Sequence, residues 1–199
     1  MRSIRISLAA LICAVGTVPI QAQERSWGLV AEAGLASFSG HSKSTSEPQE
    51  GHPGGASTWG IRLDRTRDHV RLTLGVLYAT SGLEIESSEA SAQAKGILKV
   101  YEISPEISFV LFQPRDGAVR LHLGGVIDHW SPTDADGRTR LGGLAALSLE
   151  VPLSDRISVQ VRGEATLTGS LFNEDEVPSD YERKSGIRQR WSLGTRYRL

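Results

Sequence analysis

The chain has 199 residues, the length of one ordinary domain. Lys and Arg number 22 against 23 Asp and Glu, a net charge of −1, so no basic excess argues for nucleic acid. Hydrophobic residues make up 39 %, and the one cysteine, Cys13, lies in the N-terminal stretch, which leaves the rest without disulfide or thiol chemistry.

Met1-Arg-Ser-Ile-Arg5 is a short positive stretch, and Ile6 to Ile20 is mostly apolar. Gln21-Ala22-Gln23 follows, with a small residue at a plausible cut. This is the pattern of a secretory signal peptide, and the expected division is a leader over 1–22 and one barrel domain over 23–199. The apolar run falls short of the roughly 20 residues of a spanning helix. A lipid-anchored reading at Cys13 fails because Leu11-Ile12 lacks the small residue that such a signal requires. Removing Arg2 and Arg5 from 22 leaves 20 basic residues against 23 acidic ones, a net −3.

After the leader, apolar residues recur at every second place. A period of two puts alternate side chains on opposite faces of a strand, and a membrane-crossing strand needs only about 9–11 residues. The first strand is expected from about Trp27 to Phe38, with Trp27, Leu29, Ala31, Ala33 and Leu35 opposite Glu32. The second, about Thr58 to Arg65, sets Trp59, Ile61 and Leu63 against Arg62 and Asp64. The third, Val70 to Thr80, sets Leu72, Leu74, Val76 and Tyr78 against Arg71, Thr73 and Gly75. The fourth, about Ile97 to Phe112, sets Tyr101, Ile103, Ile107, Phe109 and Leu111 against Glu102, Ser104, Glu106 and Ser108. Pro105 lies inside it and predicts a bulge or break, because proline donates no ladder bond. The fifth, Ala118 to Trp130, sets Val119, Leu121, Leu123 and Ile127 against Arg120, His122 and Asp128. The sixth, Arg140 to Val151, sets Leu141, Ala145, Leu147 and Leu149 against Arg140, Ser148 and Glu150. The seventh, Arg156 to Gly169, sets Ile157, Val159, Val161 and Leu167 against Arg162 and Glu164. The eighth, Ile187 to Leu199, sets Trp191, Leu193, Tyr197 and Leu199 against Arg188, Arg190, Arg196 and Arg198.

The links alternate in length. Residues 66–69, 113–117 and 152–155 are short and carry turn-forming Asp, Gly, Pro and Ser. Residues 39–57, 81–96, 131–139 and 170–186 are long and polar. Short periplasmic turns and long extracellular loops are the rhythm of a transmembrane β-barrel. The predicted fold class is therefore all-β: an eight-stranded antiparallel up-and-down transmembrane β-barrel. In such a barrel the apolar faces meet lipid. The lumen then receives Glu32, Asp64, Glu102, Glu106, Asp128, Glu150 and Glu164 with Arg62, Arg71, Arg120, Arg140, Arg162, Arg188, Arg190, Arg196 and Arg198. Eight strands leave an interior just wide enough for side chains, so these charges are expected to pair and fill it. Trp27, Phe109 and Tyr197 fall at one end of their strands and Trp59, Tyr78 and Tyr101 at the other, as two interfacial girdles would.

The last eight residues, Ser192-Leu-Gly-Thr-Arg-Tyr-Arg-Leu199, resemble the C-terminal signal of bacterial outer-membrane barrels: polar, x, Gly, x, x, aromatic, x, apolar. With the leader, the strand number and the loop asymmetry, the whole mature chain resembles the small outer-membrane barrels of the OmpA/OmpX or opacity-protein type. It departs from them in ending on Leu rather than the commoner Phe, and in having no peptidoglycan-binding domain after the barrel. The resemblance implies an outer-membrane location, contact with outer-membrane lipid, and recognition by the barrel assembly machinery through Gly194, Tyr197 and Leu199. It also implies a structural, adhesive or surface-protective role, with any extracellular partner meeting the four long loops.

Two other readings share the pattern. A secreted soluble barrel that carries a small apolar ligand also alternates, with its apolar face inward, and periodicity alone does not separate the two. A lipid A deacylase of the same barrel size uses a His-x-Ser pair on its lipid side, which His129 and Ser131 resemble; Pro132 follows where that family has Asn. His122 reads as a packed polar residue of the lumen. His41 and His52 form too sparse a set for a metal, and Asp134-Ala-Asp136-Gly137 lacks most ligands of a calcium loop. No cofactor or metal is expected.

Overall fold

The computed structural model describes residues 26–39, 42–44, 50–53, 55–86, 91–114, 117–132, 137–169, 181–182 and 185–199. The expected leader, His41 and residues 133–136 lie outside them. Eight long strands run in chain order: β1 Ser26–Ser39, β2 Ala56–Arg67, β3 Val70–Glu86, β4 Ser91–Phe112, β5 Ala118–Pro132, β6 Arg138–Pro152, β7 Ile157–Thr168 and β8 Gly186–Arg198. Each pairs antiparallel with its chain neighbours. β8 then pairs with β1 from Gly28↔Arg198 to Ser39↔Ile187, and the sheet closes on itself. The Leu199 amide donates to the Trp27 carbonyl at 3.0 Å, so pairing continues to the final residue. Closure removes both sheet edges, the condition for placing backbone in hydrocarbon.

The alternation sorts the side chains as charge and grease require. Arg62 and Asp64 of β2 are buried in the lumen, whereas Ile61 and Leu63 between them are exposed on the outside. The same holds around the barrel for Leu35, Leu74, Leu141, Leu147 and Leu193, all exposed. This is a continuous apolar belt, far beyond the scattered apolar residues of a soluble surface. The soluble-carrier reading fails here, because its apolar faces would point inward. On the belt, the Trp59, Tyr78 and Tyr101 rings line up across β2, β3 and β4 with centroids 5.5 Å and 5.2 Å apart.

Several local expectations need correction. β3 and β4 are longer than the sequence suggests. Leu83↔Ala94 through Glu86↔Ser91 remain paired, so much of the expected 81–96 loop is an extended hairpin. Its Ser, Gly and Glu content reads as a loop, although Leu83-Glu-Ile-Glu86 keeps the two-residue alternation. Three short strands join it: Ser42–Ser44, Glu50–Pro53 and Tyr181–Glu182, which tie parts of the 39–57 and 170–186 segments into the same sheet. Pro105 gives the break and not the bulge. It stays in register with Leu74, but on the β5 side Ser104 and Pro105 drop out of the ladder between Ile103↔Ile127 and Glu106↔Gly124. The register shifts lie elsewhere, between Ser81 and Leu83 and between Val110 and Phe112.

The adjacent glycines Gly142 and Gly143 of β6 divide by face. Inward Gly142 approaches the β7 backbone so closely that a Cβ would stand 2.3 Å from the Leu167 carbonyl oxygen. Outward Gly143 has only one atom near an added Cβ, at 3.9 Å. Gly142→Val should therefore lower the unfolding free energy by about 1–3 kcal/mol through overpacking, while Gly143→Val should stay within about 0.5 kcal/mol. Urea titration of the refolded barrel in micelles, read from the shift of the unheated gel band, checks the pair.

Candidate functional site

The lumen holds the densest chemistry of the molecule. Among the described residues, seven arginines and seven carboxylates are buried there, so the interior is formally neutral. That matters because each ion removed from water loses several kcal/mol of hydration unless partners replace it.

The charges form three tiers. Nearest the outer loops, Arg188 of β8 reaches Glu102 of β4, Asp128 of β5 at 3.4 Å and the Thr166 hydroxyl of β7 at 3.3 Å. At mid-barrel three arginines interlock with three glutamates. Arg62 donates to Glu32 at 3.0 Å, pairs with Glu106 and lies 3.4 Å from Glu164. Arg162 reaches Glu106 at 2.9 Å and Glu164 at 2.7 Å. Arg190 reaches Glu32 at 2.8 Å and Glu164 at 3.0 Å. His122 lies beside this tier, with Nε2 2.8 Å from the Ser148 hydroxyl and Nδ1 3.3 Å from Glu106. Toward the short turns, Arg196 grips Asp64 through two bonds of 2.8 Å and 2.7 Å. Arg71 donates to Glu150 at 2.8 Å, Ser158 donates to the same carboxylate at 2.7 Å, and Arg120 stands 3.8 Å from it. Planar guanidinium groups suit this work because their donors fan toward several carboxylates at once. Inward Gly28 and Gly75 leave room for it: a Cβ at Gly28 would stand 2.4 Å from the Arg196 guanidinium, and one at Gly75 3.2 Å from that of Arg62.

Two residues of the expected inward set are less buried than those of the tiers. Arg140 is half-buried at the outer end of β6, opposite Asp128 in the ladder. Arg198 is exposed at the last position of β8. Parity names the face of a strand but not the depth.

The sequence reading missed an apolar layer inside the barrel. Ala36, Ala56, Leu77, Ala79, Val100 and Trp130 are buried together above the ions, with Phe38 packed against them. Phe38 of β1 and Trp130 of β5 come from opposite walls, and their rings meet edge-to-face at 5.5 Å between centroids. The signal was available in Val76-Leu77-Tyr78-Ala79, where both faces are apolar and alternation lapses.

His129 and Ser131 do face outward near the outer loops, but His129 Nδ1 lies 3.1 Å from the Thr139 hydroxyl across the ladder. That bond holds one ring nitrogen and leaves Nε2, the atom that would have to stand within hydrogen-bond reach of the Ser131 hydroxyl for a base and nucleophile pair. In the terminal strand β8, Gly194 faces inward, where a Cβ would stand 3.1 Å from the Ala31 carbonyl oxygen, while Tyr197 and Leu199 face outward and are exposed.

Because Arg62 touches three carboxylates, Arg62→Met should lower the unfolding free energy by about 3–5 kcal/mol, the weight of stranding buried charge. Arg140→Met, at the half-exposed mouth, should lower it by less than about 1 kcal/mol. Urea titration in phospholipid vesicles measures both.

No protein family model and no curated protein matches the chain. Solved structures do. Neisserial surface protein A aligns with a TM-score of 0.57 at 12 % identity, over 87 % of this chain and 97 % of its own. The outer membrane protein OprG from Pseudomonas aeruginosa aligns with a TM-score of 0.52 at 10 % identity, over 88 % of this chain and 97 % of its own. At such identities the likeness is one of architecture. It coincides with the closed ladder and the outward apolar belt: the chain has the fold of the small eight-stranded outer-membrane β-barrels.

Proposed function

We propose that this protein is an integral outer-membrane barrel that serves as a rigid, sealed mount for its outer loops, in a structural, adhesive or surface-protective role without catalysis. One observation carries the reading: an apolar belt surrounds a lumen filled by neutralised ions and crossed by the Phe38–Trp130 contact. The belt suits hydrocarbon, and a lumen so filled serves poorly as a passage. The N-terminal leader supports export. The terminal strand, with Gly194, Tyr197 and Leu199, supports recognition by the assembly machinery. The 39–57, 131–139 and 170–186 segments, with the β3–β4 hairpin over 81–96, are the parts available to an extracellular partner.

The protein should sediment with outer membranes after lysis, and in planar bilayers it should pass no large steady current. Recovery in the soluble periplasm would sink the membrane assignment, and large open-channel steps would sink the seal. Replacement of both His129 and Ser131 by Ala should leave the acyl chains of lipid A in the producing cell unchanged, as read by mass spectrometry.

A further inference from the structure

The outer surface carries a hollow at the opposite end from the loops. It lies at the β2–β3 turn, has a volume of about 470 Å³, and is lined by Arg65, Arg67, Asp68, His69, Val70 and Leu72. None of these residues takes part in the three ion tiers except through the strands they sit on. Arg65 faces outward beside Trp27, its guanidinium 5.4 Å from the centre of that ring. Trp27 and Leu72 are both exposed on the belt. The turn itself holds Asp68 at a φ of 56°, which folds the chain back sharply and presents Arg67 and His69 on either side. Asp68 is the one carboxylate of the lining and stands 3.9 Å from Arg67, with both side chains largely exposed.

The arrangement is that of a headgroup seat. Its apolar wall continues the lipid-facing belt, and its basic groups stand at the level where the belt ends. An interfacial Trp marks that level in membrane proteins, and arginines there reach from apolar surface toward lipid phosphates. Guanidinium groups bind phosphate through paired hydrogen bonds. We propose that this hollow binds an anionic phospholipid of the periplasmic leaflet, with Arg65 and Arg67 on the phosphate and one acyl chain along Val70 and Leu72. The occupant is a lipid rather than free phosphate, because Val70 and Leu72 open onto hydrocarbon and offer an ion nothing. The inference rests on the membrane reading given above.

The test uses the full folded protein in micelles doped with equal amounts of phosphatidylglycerol and phosphatidylcholine, with retained lipid counted by native mass spectrometry. Wild type should keep phosphatidylglycerol over phosphatidylcholine by about tenfold, the scale expected of one or two interfacial arginines. Arg65→Gln with Arg67→Gln should abolish the preference. Arg156→Gln with Arg198→Gln, which removes as much charge from another part of the same rim, should leave it intact. No preference in wild type, or a preference that survives Arg65→Gln with Arg67→Gln, overturns the site. Equal loss in both double variants also overturns it, because rim charge alone would then explain the binding. Arg67→Gln alone, on a side chain 71 % exposed, replaces the first double variant should that one not fold. Heat-modifiable gel mobility is followed throughout. A chain that never forms the heat-sensitive barrel band in lipid fails the membrane reading, whereas a folded barrel without lipid preference fails only this one.

Discussion

A backbone amide in hydrocarbon has no water to bond, and that constraint governs the rest of this structure. It forces the sheet to close, with β8 laid against β1 up to the final residue. Closure then divides the side chains into two populations with no third place to go. Those facing lipid must be apolar, and those facing the lumen must fill a narrow bore. The charged residues that solubilise other proteins at their surface have been turned inward, where they need partners. The interlocked arginines and glutamates follow from geometry as much as from any task.

The lumen therefore uses ion pairs as packing. A buried salt bridge is weak as a source of stability when compared with a well-packed apolar core. Here an apolar core would compete with the outer face: a strand greasy on both sides has no preferred orientation in a membrane. The mixture resolves this by position. Ions occupy tiers along the whole barrel, and the apolar layer around Trp130 joins them near the outer mouth. Strand orientation follows the tiers of charge, and at the mouth the Phe38 and Trp130 rings meet across the bore.

Much of this was legible in the amino-acid order. Alternation alone located eight strands and the face of residues such as Arg62, Glu106 and Arg190, because the membrane punishes every exception. Legibility failed where that pressure lapses. Beyond the belt, β3 and β4 continue as a hairpin whose Ser, Gly and Glu content reads as a loop, although Leu83 and Ile85 keep the alternation. At Leu77 and Ala79 both faces are apolar, and that lapse of alternation is the one trace the inner layer leaves in the sequence. Depth was also hidden, so Arg140 and Arg198 could not be told from the buried arginines. Pairing was hidden for a further reason. Which carboxylate meets which guanidinium depends on the stagger of the closed barrel, a property of the whole sheet. Arg62 of β2 meeting Glu164 of β7 is written in no local segment.

The middle tier draws Glu32 from β1, Arg62 from β2, Glu106 from β4, Arg162 and Glu164 from β7 and Arg190 from β8. No single hairpin contains a complete set. A hairpin entering the bilayer alone would carry naked ions into oil, and adding its neighbours one by one would not cure this until the last strand met the first. Insertion by instalments is thereby disfavoured. The chain has reason to remain wet and sheltered until the ring can form as a unit, so its biogenesis inherits an all-or-none character from the same carboxylates that make the finished cylinder solid.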